Sequence, residues 1–320
     1  MVASNWIFNY LIISAPNESG GLYACFDGQV LPMDDRPTCG IDWSSERGVF
    51  VRGIQQGDIL SITTTEGTRE YKGAWYDIHD VLLGETEDIY LVSTYHNAII
   101  RWSRSEEAEI DRWISADQID SWHVNCLGKV HGKVCFSAFG DFHSTRGYKN
   151  ATKGRGFLAE VDQNPPQIIS GGLSQPHSIL GTSDGYWLCN SEMGDVRYAG
   201  RDGVMDPEIV LDGYTRGLAI RDGVLFVGLS ASRNSFEGDP VRQAKIVAID
   251  LATKQEISRL SLPFNEVYGI IAVPKQDLFL KLVAQILTGE RLRLLRQRDS
   301  LLGKLAAHLS QSPRPEERGL

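Results

Sequence analysis

Residues 121–128, SWHVNCLG, hold a histidine between a tryptophan and a valine just ahead of an apolar run that ends in glycine. The same order recurs in YDIHDVLLG (76–84) and LSQPHSILG (173–181). Fourteen residues after His79, His123 and His177 come Ser93, Ser137 and Ser191, each closing a second apolar run. From Arg216 the step reaches Ser230, and from Cys39 it reaches Gly53. Self-similarity at a fixed period is the signature of a repeat architecture and outranks local propensity.

Each unit reads as a special residue, a strand, a short turn, a second strand ending near serine, then two further strands. The anchors Cys39, His79, His123, His177, Arg216 and Tyr268 are separated by 39 to 54 residues. That is the size of a four-stranded propeller blade, about 40–50 residues, with insertions in two blades. Six anchors predict an all-β, six-bladed β-propeller over residues 8–275. YGIIAV (268–273) has no following partner strand, whereas YLIISAPN (10–17) and GLYACFDGQVL (21–31) near the N-terminus have no anchor. The last blade is therefore expected to take its inner strand from the C-terminal end of the repeat and its outer three from the N-terminal end, leaving no open edge.

From Gln276 the period changes. Leu and Ile recur at three- and four-residue steps through residue 309, which predicts a helical extension of one or two helices, with Gly289 as a candidate break. Residues 310–320 are Pro-rich and charged and are expected to be a disordered tail. The extension is expected either to pack on the propeller or to join a second copy in a homo-oligomer; a basic stretch at 290–304 admits a membrane-surface or partner-docking role as a weaker reading.

The net charge of −9 argues against nucleic acid or an anionic membrane as the main partner. MVASNWIFNYLIISAPN has no early Lys or Arg and an apolar run too short to span a bilayer, so neither a signal peptide nor an integral membrane segment is expected. Five cysteines without a CxxC pair suit buried thiols in a reducing cytoplasm.

The first residues of each inner strand gather at one mouth of a propeller channel, so the anchors should form a ring. Three imidazoles at one repeat phase, His79, His123 and His177, suit a divalent transition metal: zinc first, with copper or iron open. Arg216 would hold an anionic group and Tyr268 would move a proton, its pKa lowered by a nearby cation. Cys39 would be a fourth ligand or a small apolar neighbour. The loops after the second strands would bring His96, Asp141, His143, Glu192 and Arg233 to the same mouth as substrate contacts. The four serines are expected to satisfy backbone groups rather than act as nucleophiles, and His131 and His308 to lie away from the site.

The strings SWHVNCLG, FSAFGDF, QPHSILG, WLCNSEMGDVR and TRGLAI…LFVGLSASR resemble a bacterial family of β-propellers of unassigned function over residues 8–275. In architecture the chain is similar to NHL and gluconolactonase-like six-bladed propellers. Among these, the lyase that cleaves peptidyl-hydroxyglycine binds zinc through three channel histidines and uses a nearby Tyr and Arg. That resemblance implies a metal site on His79, His123 and His177 with Arg216 and Tyr268 beside it. The Glu, Asn and Asp set that holds calcium in gluconolactonases has no equivalent ring in this sequence. The expected function is metal-dependent lyase or hydrolase chemistry on a small anionic or peptide-derived substrate. The alternatives are a non-catalytic binding or scaffold propeller with structural channel histidines, and a copper- or iron-dependent oxidative enzyme.

Overall fold

A computed structural model of the chain describes residues 5–161, 165–201, 203, 205–231 and 243–311. Among the described residues the strands form six four-stranded antiparallel sheets, five of which follow chain order from the inside outward. The inner strands of blades 1 to 5 are Thr38–Ser44, Ile78–Leu83, Val124–Val130, Pro176–Gly181 and Tyr214–Arg221. In blade 6 the inner strand Ile270–Ala272 pairs with Leu11–Ala15, which leads on to Gly21–Phe26 and Gln29–Asp34. The closure inferred from the unmatched strand patterns at the two ends is the one observed.

Packing follows from the apolar composition of the strands. Leu11, Ile13, Phe226, Ile246 and Val267 fill the seam between blades 5 and 6, and Val51, Leu60, Ile78, Leu91 and Ile100 fill that between blades 1 and 2. The serines at the ends of the second strands stitch neighbouring blades together. Ser137 Oγ donates to Pro176 O, Ser191 Oγ to Thr215 O and Ser230 Oγ to Val267 O, while Ser93 Oγ donates to Tyr76 O where the chain enters its own blade. These hydroxyls satisfy backbone carbonyls of the buried blade seams.

The C-terminal extension is one unbroken helix, Gln276–Gln311. The break expected at Gly289 does not occur. A Cβ there would lie 2.3 Å from Thr68 Oγ1 and 2.9 Å from Thr63 Cγ2, so glycine lets the helix press against blade 1. Phe279, Leu282 and Ile286 are buried in the same cluster as Ile12, Leu22 and Phe50. One turn on, Glu290 accepts from Arg36 Nη2 at 2.8 Å, Arg52 Nη2 at 2.9 Å and Arg293 Nε at 2.8 Å. The N-terminal half of the helix thus docks on its own propeller. Of the expected tail, residues 312–320 lie outside the described residues.

Candidate functional site at the channel mouth

The inner strands carry a β-bulge near their first residues in blades 1 to 5, where the pairing register shifts at Thr38/Ile41, Ile78/Val81, Val124/Leu127, His177/Ile179 and Arg216/Leu218. A bulge re-aims side chains, and the bulges fall at different offsets from the anchors. The ring is consequently not flat. His177 lies inside the channel and is fully buried, whereas His79 and His123 stand nearer the mouth with side chains 13 % exposed. Asp77, His123 and Gln175 hold positive φ of 57°, 49° and 48° as the chain enters blades 2, 3 and 4. Left-handed backbone at non-glycine residues gathers where a site over-determines it.

The mouth opens into a cavity of about 980 Å3 lined by Asp77, His79, Asp120, His123, Tyr148 and Arg216, among others. Within it, His123 Nδ1 lies 2.8 Å from Asp120 Oδ1. The other carboxylate oxygen of Asp120 accepts from Tyr148 Oη at 2.8 Å and from Arg146 Nε at 3.0 Å. Burial alone would raise the Asp120 pKa, but the hydrogen bonds from His123, Tyr148 and Arg146 outweigh it and hold the carboxyl below its ordinary value. Tyr148 and Phe139 also pack on the His123 ring, with centroids 4.6 and 4.3 Å away. The long loop of blade 3 folds back to supply both aromatic rings and the Arg146 guanidinium.

Tautomers follow from the partners. His79 Nδ1 faces Asp77 O at 3.1 Å, and His177 Nδ1 faces Gln175 O at 2.9 Å. A carbonyl only accepts, so both rings carry hydrogen on Nδ1; in His123 the Asp120 carboxylate imposes the same state. Each ring therefore presents Nε2 as an acceptor. Burial, with smaller contributions of both signs from Asp77 and His123, brings the His79 pKa down to about 4. The His79 and His123 rings are 5.2 Å apart in a T-shaped pair.

The third Nε2 is occupied. His177 Nε2 accepts from Arg216 Nη2 at 2.7 Å and from Asn125 Nδ2 at 2.9 Å. Burial, then the Arg216 charge, holds the His177 pKa well below 6.5. Asn125 Oδ1 in turn accepts from Tyr268 Oη at 2.7 Å. Arg216, His177, Asn125 and Tyr268 thus form a hydrogen-bonded plug across the channel. The three imidazoles do not offer three free nitrogens to a metal, because a guanidinium holds the lone pair of His177 Nε2. Among the described residues, no group of three or more His, Cys, Asp or Glu side chains is arranged to hold a metal ion.

Arg216 is drawn inward as well. Its Nη1 pairs with Glu266 Oε2 at 3.0 Å, so both terminal nitrogens already have internal partners. Tyr268 differs from expectation in the sign of its shift: burial, then Cys126, Asp80 and Cys39, raise its pKa well above 10 despite the nearby Arg216. It lines a second cavity of about 720 Å3 at the opposite end of the channel, together with Asp80, Cys126 and His131. Cys39 is buried against Cys126 and the Tyr268 end of the plug and is not among the residues lining the mouth.

Of the loop residues, Glu192 lines the mouth and accepts from Thr152 Oγ1 at 2.7 Å. His96 instead packs against Tyr76 and Tyr95, its Nδ1 3.0 Å from Ser93 Oγ, outside the cavity lining. Asp141 and His143 are exposed and also outside the lining. Arg233 lies outside the described residues. Asp120, Tyr148, Arg146 and Asn125 were not singled out by the repeat. Asp120 had one local signal: it precedes an anchor histidine by three residues, as Asp77 precedes another by two.

The fold is shared with solved propellers. Regucalcin, a calcium-binding protein from Agrobacterium tumefaciens, is 11% identical over 73% of this chain and 77% of its own, with a TM-score of 0.55. A chain of a nidogen–laminin complex is 10% identical over 83% of this chain and 98% of its own, with a TM-score of 0.59. Luciferin-regenerating enzyme is 11% identical over 72% and 78%, with a TM-score of 0.54. At such identities the likeness is one of fold alone. No curated protein matches the sequence. No helix among the described residues is long and apolar enough to cross a membrane. Residues 67–279, about two thirds of the chain, match the family described as a domain of unknown function (DUF4915), and the protein belongs to that family.

Proposed function

We propose that the protein is an enzyme acting on a small anionic molecule at the channel mouth, with His123 as the general base of a hydrolase or lyase reaction. The observation that carries this reading is the Asp120–His123 pair. Asp120 fixes the proton on Nδ1, leaves Nε2 as the basic atom, and stabilises the imidazolium that forms when Nε2 takes a proton. His79, neutral and also fixed through Nδ1, offers a second acceptor beside it, so a water can donate to both rings and a substrate hydroxyl to either. Lys149, Lys153 and Arg155 line the outer cavity and give an anion its counter-charge.

A three-histidine zinc, copper or iron centre is not part of this reading, because Arg216 and Asn125 hold the His177 nitrogen that would complete it. The small-molecule reading gains support from the depth and polarity of the mouth. A scaffold role for the same fold would require neither the buried carboxylate–imidazole pair nor the left-handed backbone that aims it.

A panel of lactones, carboxylate esters and phosphate esters, assayed with the parent protein, H123N and D120N, tests the reading. General-base removal should cut turnover by about 10²–10⁴-fold in H123N, with a smaller loss in D120N. A compound turned over at the same rate by the parent and H123N would refute the assignment, and a family of ligands that bind but never react would favour the scaffold role.

A further inference from the structure

We propose that the protein is a homodimer joined by antiparallel pairing of its C-terminal helices. Leu280, Leu287, Leu294 and Leu301 recur every seven residues along this helix and are 46, 46, 55 and 65 % exposed. They lie about a quarter turn round the helix from Phe279, Leu282 and Ile286, which are buried on the propeller. The line runs without a break from the docked half of the helix into the half that leaves the body. Arg293, paired with Glu70 at 3.4 Å, is near the last residue tied to the propeller, and residues 294–302 are all exposed. In proteins most helical stability comes from packing rather than from propensity, and a second helix would supply that packing to the projecting half.

The period and the charges identify that partner. A strict seven-residue repeat matches another helix in a supercoil, where the seam must stay facing its mate. A lipid surface instead takes a broad apolar face with charges kept to its flanks. Here Arg291 and Arg298 stand on the leucine line itself, four residues after Leu287 and Leu294. Parallel pairing of two copies would set each of these arginines against its own counterpart. Antiparallel pairing separates them and lets their aliphatic stems lie along the neighbouring helix. It also carries residues 291–311, with five basic residues and one acidic, across the partner's propeller, where residues 1–275 hold 24 basic and 36 acidic residues. The charge complementarity is therefore between the projecting helix of one copy and the body of the other, twice over by symmetry.

Light scattering on the full chain should give twice the 35.5 kDa monomer mass, halved in L294E/L301E with the thermal unfolding of the propeller unchanged, since both leucines are exposed. Oxidation of a mixture of K281C and L302C chains should cross-link unlike sites, while R298C alone should not cross-link to itself. A monomeric parent, a dimer that survives L294E/L301E, or like-site cross-linking would overturn the proposal. So would a monomer whose helix binds phosphatidylserine vesicles, which would assign the leucine line to a lipid surface.

Discussion

The His79 ring makes a quantitative prediction about acid stability. Folding lowers its pKa from 6.5 to about 4, so the folded state binds fewer protons than the unfolded state across that interval. Stability linked to His79 is therefore fully present above pH 6.5 and is lost as the pH falls toward 4. At about 1.4 kcal/mol per pH unit, the gap amounts to about 3 kcal/mol. The variant H79N keeps a donor for the Asp77 carbonyl and removes the titration. Urea unfolding of both proteins at pH 7 and pH 4 isolates this contribution, because the other titrating groups are common to both. The parent should lose about 3 kcal/mol more than H79N between the two pH values. Equal losses would show that His79 is not held neutral by burial, and the description of His79 as an uncharged acceptor at the mouth would fail with it.

Further outcomes follow from the plug and the helix dock. Glu290→Ala removes one of the two carboxylates on Arg52, 1 % exposed, which keeps Asp34 at 2.8 Å, and should cost about 1–3 kcal/mol with early proteolysis of the helix; an unchanged urea midpoint would mean that the apolar contacts hold the helix alone. Asn125→Ala removes the acceptor of the Tyr268 hydroxyl and one donor to His177, a loss of about 1–3 kcal/mol by thermal unfolding. Tyr268→Phe should leave the phenolate absorbance titration of the folded protein unchanged below pH 10, since burial keeps that hydroxyl protonated; a missing phenolate step in the variant would restore Tyr268 as a base.

Repeat phase made the architecture legible. Blade number, the N-terminal completion of blade 6 and the helical extension all follow from apolar periodicity, which bulges do not disturb over a whole blade. The chemistry of the mouth was legible only to within a turn of backbone. The fourteen-residue step places His123 and His177 at one phase, yet the bulges at Val124/Leu127 and His177/Ile179 leave one ring near the mouth and the other within the channel. Asn125, not His123, meets His177 there. Tyr148 and Arg146 escaped notice for a different reason: they belong to a loop that returns over the site, and loop return has no period. The break expected at Gly289 is absent because a glycine in a helix signals a break or a close approach equally well, and the neighbouring Thr63 and Thr68 make it a close approach.

The tautomer of His123 decides whether Asp120 orients a base at the channel mouth. Nitrogen NMR of ¹⁵N-histidine-labelled protein at pH 9, with the resonance assigned through H123N, distinguishes a protonated Nδ1 from a protonated Nε2. The parent should carry hydrogen on Nδ1 and a bare Nε2, with the Nδ1 proton signal losing its hydrogen-bonded shift in D120N. An Nε2-protonated ring in the parent, or a D120N spectrum identical to it, would contradict the assignment of an Asp120-oriented base at the channel mouth.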